Sequence, residues 1–132
     1  MTQLTLTRER VDELLADESV PVAHRALWAL LWDGEVRLGD ALSLDVRDVA
    51  FAEGTARVEY PKRGAGPVSV PLGDRAAGLL RQAIGERADG PALQIDGRPI
   101  SRTSAAHRAR AAGVGSIHSF RSTGQAARRP AQ

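Results

Sequence analysis

Four side chains in this sequence have the types and spacing to act on a phosphate: Arg37, Lys62, His118 and Arg121. His118 and Arg121 lie in Ile117-His118-Ser119-Phe120-Arg121. Three residues apart on a helix, they share one face. A proton carrier beside a fixed, forked cation suits a phosphodiester. Gly115 and Ser116 supply the turn and N-cap that would start that helix. Arg37 opens a short apolar pattern, Leu38, Ala41 and Leu42, so it stands at a helix N-terminus. A cation there opposes the helix dipole unless an anion arrives to meet it. Asp40, three residues on, is placed to hold the guanidinium. Lys62 is the only lysine among 18 basic residues. Lysine can give up its proton near neutral pH and arginine cannot, so a site needing a cationic acid needs lysine.

These residues need a scaffold, and the hydrophobic periodicity outlines one. Thr7 caps a helix to about Ala16, and Pro21 starts a second that runs through Trp32. The second is apolar nearly all round and is the expected buried centre, with Trp28 and Trp32 in the core and His24 structural. Asp33-Gly34 breaks it, and the short helix Arg37–Leu44 follows. Three strands are expected at Val46–Phe51, Thr55–Tyr60 and Pro67–Leu72, with turns at Ala52-Glu53-Gly54 and Arg63-Gly64-Ala65-Gly66. Lys62 then stands at a hairpin tip, with Tyr60 on the strand before it. A helix from Gly73 to about Glu86, a short extended piece Leu93–Ile95, a turn at Asp96-Gly97 and a helix from Ser101 to Ala112 complete the order. The fold class is α+β: mainly helical, with a small three-stranded antiparallel sheet.

At 132 residues the chain is expected to form one domain, residues 1–127, followed by a disordered basic tail at 128–132. The absence of cysteine excludes disulfides, thiolate metal sites and a cysteine nucleophile. His24, His107 and His118 are not spaced as metal ligands, and neither a metal nor a cofactor is expected. No apolar run reaches membrane-spanning length and the N-terminus is not a signal peptide, so the cytoplasm is the expected location, with no membrane partner. The net charge of +2 hides an asymmetry. From Gly97 onward there are seven arginines and no acid, whereas residues 1–96 hold all 16 acids against 11 basic residues. A basic third beside an acidic remainder points to a polyanion-binding face.

The order of these motifs resembles the catalytic domain of the tyrosine recombinases, the phage integrase and Xer family. Trp32 to Val49 is similar to the family's first arginine motif, TGLRxxELxxLxxxDI. Tyr60-Pro61-Lys62-Arg63-Gly64 followed by Val68-Ser69-Val70-Pro71-Leu72 resembles its lysine hairpin and VPL strand. Arg102 to Val114 resembles the helix before the active-site box, and Ile117 to Arg121 the box itself, usually HDLRH. The resemblance spans roughly Thr7 to Ala127. It implies metal-free cleavage of DNA by a tyrosine that becomes linked to a 3′ phosphate. Arg37 and Arg121 would neutralise the phosphorane, Lys62 would protonate the leaving 5′ oxygen, and His118 would carry a proton and bind phosphate. Asp40 would support Arg37 from behind. Arg63, Arg102, Arg108 and Arg110 are the expected further contacts to double-stranded DNA.

The departures from the family pattern are as informative. Eleven residues follow Arg121, and none is tyrosine. Tyr60 matches a strand position upstream, and Ser122 stands where the family often has histidine. The family's N-terminal core-binding domain has no counterpart. The expectation is a DNA-binding, truncated recombinase-like domain that does not cleave DNA alone. A nucleophile supplied in trans by another subunit, a regulator that pairs with a full-length recombinase or occupies its site, a homo-oligomer and a decayed integrase fragment all remain open.

Overall fold

The computed structural model describes residues 6–33, 36–59 and 67–128. Helix α1 (Arg8–Ala16) starts where expected, with Thr7 Oγ1 accepting the Arg10 N–H at 3.1 Å. Its stripe Val11, Leu14 and Leu15 is buried. Helix α2 (Val22–Asp33) follows Pro21, whose carbonyl accepts the N–H groups of His24 and Arg25. Every residue of α2 from His24 to Trp32 except Arg25 is buried. Such an all-round apolar helix must be covered on several sides. It is covered by α1, by α3 (Leu38–Ser43), by α4 (Asp74–Ile84) and by α6 (Ser119–Arg128). Arg25 is the exception because its Nε donates to the Val20 carbonyl and closes the α1–α2 turn.

The first expected strand is the main correction. Over Val46–Phe51 the chain forms a 3-10 turn, Val46–Asp48, and then only a two-residue strand β1 (Val49–Ala50). The cause is a reciprocal cap. Asp45 Oδ2 accepts the Arg47 N–H at 2.8 Å while Asp48 Oδ2 accepts the Asp45 N–H at 3.0 Å. Short acidic side chains that bond the local backbone compete directly with a sheet ladder. Arg47, through its side chain and its N–H, also holds the Asp45 carboxyl below its ordinary range.

Strands β2 (Thr55–Glu59) and β3 (Pro67–Pro71) pair antiparallel, in the order β1-β2-β3. The register sets Ala56 opposite Val70 and Val58 opposite Val68. Ala56, Val58 and Val70 are buried, so one face of the sheet packs on the core. Gly54, at φ +66°, makes the β1–β2 turn, and its carbonyl accepts the Leu72 N–H. Tyr60 and the turn at 63–66 lie outside the described residues.

Helix α4 buries Ala76, Leu79, Leu80 and Ile84 and ends at Ile84 with Gly85 as its C-cap, two residues short of the expected span. Arg87 then folds back and donates to the carbonyls of Ala83, Ile84, Pro91 and Ala92. The extended piece at Leu93–Ile95 is half of a small hairpin, β4 (Gln94–Ile95) and β5 (Arg98–Pro99). Asp96 and Gly97 turn it with φ of +53° and +80°, the signs of a primed hairpin turn. Helix α5 (Arg102–Ala111) is capped by Ser101, whose Oγ accepts the Ser104 N–H at 3.0 Å. Arg128 is still the last residue of α6, and the rest of the expected basic tail lies outside the described residues.

His24 is structural, and it is a liability in acid. It is 1% exposed beside Trp28, with Nδ1 unpartnered. Burial first, and then the charge of Arg108, lower its pKa from 6.5 to about 4. A depressed folded pKa means that the unfolded chain takes the proton first. The neutral His24 therefore contributes fully above pH 6.5, and that contribution is lost as pH falls to about 4. The loss is on the order of 3 kcal/mol. Denaturant melts from pH 7.5 to 4 are expected to show this fall, and His24→Leu is expected to flatten it. An equally steep fall in His24→Leu would assign the effect to other groups.

Candidate functional site

The box is anchored through its apolar residues. Ile117 and Phe120 are buried, and the Phe120 ring stacks on Trp28 of α2 at 5.2 Å between centroids and 14° between planes. Ser116 starts the turn into α6. Its Oγ accepts the His118 N–H at 3.2 Å and its carbonyl the Ser119 N–H at 3.0 Å. The helix proper begins at Ser119, one residue after His118. His118 is exposed, and its carbonyl accepts both the N–H and the Oγ–H of Ser122.

Phe120, Arg121 and Gly124 recur at helical spacing, and Phe120 and Gly124 lie on the side of α6 that meets α2. Gly124 makes the closest approach. A Cβ there would collide with the Trp32 carbonyl oxygen and stand 2.9 Å from its carbonyl carbon. Arg121 is half-buried, and its Nε is shut off from solvent without a partner. An orphaned buried donor is costly.

Arg37 is held at the same end of α2. It follows Asp33, the last residue of that helix, by four positions and is the N-cap residue of α3. Asp33 Oδ2 accepts the Gly73 N–H at 3.3 Å, which ties the end of α2 to the start of α4. Val36 and Leu38 are buried on either side of Arg37, whose own side chain is exposed. Arg37 thus follows the end of α2 in sequence, and Arg121 lies on the helix whose Gly124 seats on the Trp32 carbonyl near that end.

The other expected residues are placed unevenly. Asp40, on α3, lines a cavity of about 550 Å³ together with Gly39, Ser43, Asp48, Arg57 and Arg102. Arg102 and Arg110 are exposed on α5, whereas Arg108 is half-buried with its charge felt by His24. Lys62 and Arg63 lie outside the described residues. Among the described residues, no group of three or more His, Asp or Glu is arranged to hold a metal ion. None of their helices is long and apolar enough to cross a membrane. Three residues of this region escaped the sequence reading: Gly124, Gly39 and Arg57. The glycines gave a faint signal, as glycines inside helical patterns. Arg57, an exposed strand position, gave none.

The chain matches the Phage integrase family over residues 5–128 and belongs to that family. No curated protein matches it. Among solved structures, XerA recombinase superposes with a TM-score of 0.76 at 15% identity, covering 94% of this chain and 48% of that one. A lambda integrase dimer bound to a COC′ core site gives 0.67 at 20% identity, covering 94% and 52%. The Tn1549 transposon integrase in complex with a circular intermediate DNA gives 0.63 at 13% identity, covering 93% and 52%. The chain therefore spans about half the length of these solved relatives, and the likeness is one of fold.

The contact at Gly124 predicts a sharp mutational effect. Gly124→Ala forces α6 off the Trp32 carbonyl and is expected to cost about 2 kcal/mol or more. The gain in helix propensity from Ala, up to about 1 kcal/mol, is too small to offset it. Gly78, where an added Cβ meets nothing within 4 Å, is the control. Gly78→Ala is expected to leave the melting temperature unchanged or raise it. Equal effects at the two positions would refute the close approach.

Proposed function

We propose that this chain is a DNA-binding catalytic-type domain of site-specific recombination or integration that grips one phosphodiester between Arg37 and Arg121. The observation that supports the reading is that α6, which carries Arg121, seats Gly124 on the Trp32 carbonyl near the end of α2, the helix end that Arg37 follows by four residues. Two guanidiniums can hold the non-bridging oxygens and offset the charge that grows on a pentacovalent phosphorus. Asp40 acts behind Arg37. His118, exposed at the start of α6, binds phosphate and carries a proton. Lys62 protonates the departing 5′ oxygen. Arg63, Arg102, Arg108 and Arg110 add contacts to the duplex. Residues 1–127 act as one unit with 128–132 as a basic tail, and the setting is the cytoplasm.

DNA as the partner is supported by the family match and by the relatives solved on DNA. Assembly into homo-oligomers is supported by the lambda integrase dimer and by its tetramer on a Holliday junction. Residues 1–132 offer no evident nucleophile beside the box. Tyr60 is the only tyrosine and precedes the box by almost half the chain. Ser119, Ser122 and Thr123 carry hydroxyls near the box, but nothing there activates them as nucleophiles. Residues 1–132 thus bind and polarise a phosphate without attacking it. A second reading is that the domain pairs with a full-length recombinase that supplies the tyrosine or whose DNA site it occupies.

Two measurements test this. Duplex binding is expected to be salt-sensitive and near the non-specific range, roughly 10⁻⁴ to 10⁻⁶ M. Arg37→Ala or Arg121→Ala is expected to weaken it by about tenfold, the loss of one charge-assisted pair. No duplex binding at low salt would sink the proposal. On a suicide substrate the purified chain is expected to form no covalent adduct. An adduct mapped to Tyr60 or to a hydroxyl beside Arg121 would show that the chain cleaves unaided.

A further inference from the structure

An aspartate followed by glycine can rearrange its own backbone. The glycine nitrogen attacks the aspartate carboxyl, and a following residue without a Cβ hinders that attack least. The sequence holds three such pairs, Asp33-Gly34, Asp89-Gly90 and Asp96-Gly97, and no asparagine that would compete by losing ammonia. The fold treats the three pairs differently.

In the first pair the carboxylate is engaged, since Asp33 Oδ2 accepts the Gly73 N–H at 3.3 Å. In the second the nucleophile is engaged. The Gly90 N–H donates to Asp45 Oδ1 at 3.1 Å, and the Gly90 carbonyl accepts the Val46 N–H at 2.8 Å. Those bonds must break before the Gly90 nitrogen can turn towards the Asp89 carboxyl. In the third pair neither group is engaged. Asp96 and Gly97 are exposed, and among the described residues no hydrogen bond or ion pair holds the Asp96 carboxylate or the Gly97 N–H. Nothing stands within 4 Å of where a Cβ on Gly97 would lie, so that side of the turn is open.

Two further features favour the third pair. Among the described residues, Asp96 is the only one other than glycine at positive φ, at +53°. An L side chain adopts that conformation at a cost, and opening the turn relieves it. The hairpin that imposes it is short, because β4 and β5 pair only Gln94 with Pro99 and Ile95 with Arg98. Two strands of that length are marginal by themselves and open locally at little cost.

We propose that Asp96-Gly97 is a self-modification site, at which the folded chain isomerises to isoaspartate through a cyclic imide. The Gly97 nitrogen bonds to Asp96 Cγ, and the carboxyl hydroxyl leaves with the proton of that nitrogen as water. Water then adds to the Asp96 backbone carbonyl carbon in the ring and breaks its bond to nitrogen. The backbone now runs through Cγ and is one methylene longer, and the former backbone carbonyl is a carboxylate. Turn length sets hairpin register, so the longer turn no longer pairs β4 with β5. The change reaches the start of α5, because the Ile100 N–H bonds the Leu93 carbonyl and Ser101 Oγ caps the helix. The site stands apart from the DNA-binding reading and is tested without DNA.

The test is prolonged incubation of the folded chain followed by tryptic mapping. Pro99 blocks cleavage after Arg98, so Asp89 and Asp96 share the peptide Ala88–Arg102 and fragment ions must tell them apart. Isoaspartate is expected at Asp96 several-fold faster than at Asp89 or Asp33. In guanidinium-unfolded chain the three rates are expected to converge, because the bonds that protect Asp33 and Asp89 are gone. Isomerisation of Asp89 or Asp33 as fast as Asp96 in the folded chain would overturn the proposal. So would an Asp96 that stays intact in the folded chain while the unfolded chain reacts. Asp96→Asn suits the same positive φ and releases ammonia in place of water. It is expected to react several-fold faster at an unchanged melting temperature, and no acceleration would rule out the imide route. The isomerised fraction is expected to melt at a lower temperature than the fresh chain, and equal melting would overturn the loss of register.

Discussion

The arrangement depends on the approach of α6 to the C-terminal end of α2. Two contacts fix it, the Phe120–Trp28 stack and the seating of Gly124 on the Trp32 carbonyl. The first supplies apolar area and the second supplies distance. A ring stack tolerates sliding, but a glycine against a carbonyl does not. Together they set the height and rotation of α6, and with them the positions of His118 and Arg121. The same helix end leads into Arg37 and is tied to α4 through Asp33 and Gly73. Remote parts of the sequence are thus held in register by one buried helix.

Much of this scaffold was legible because local chemistry and tertiary structure agree. Thr7 and Ser101 read as caps and accept the N–H groups expected of caps, whereas Ser116 bonds within the turn that precedes α6, which begins three residues later at Ser119. The apolar span from Ala26 to Trp32 read as a buried helix and is one. The failure at Val46–Phe51 is instructive. Val46, Val49, Ala50 and Phe51 suggest a strand, but Asp45 and Asp48 at a spacing of three form a reciprocal cap that winds the segment first. The β4–β5 hairpin was half seen, since two-residue strands carry too little pattern to be recognised.

The candidate site was legible in its types and order, and less so in its supports. His118-x-x-Arg121 and Arg37 could be singled out because proton carriers and forked cations have few equivalents. What holds them could not. Gly124 and Gly39 matter through the atoms they lack, and the atoms that would collide, the Trp32 carbonyl and the Arg102 guanidinium, come from distant segments. A close approach between segments that far apart leaves no local signature. Arg108 has a surrounding that the sequence did not show. It read as one more basic residue, yet it is half-buried and its charge reaches His24.

On the proposed reading, fixed charge and movable protons are placed differently. Arg121 is half-buried, with its Nε cut off from water. A lysine in that position would tend to shed its proton on burial, and a histidine would be neutral, as His24 is. Arginine keeps its charge there, so a permanent cation belongs on the buried face of α6. His118 stands where water reaches it and can exchange a proton. The orphaned Nε is then a cost of holding the guanidinium partly buried on α6. An exposed arginine would be cheaper to fold, but it would bring a mobile charge to the phosphate and lose the advantage of fixed geometry.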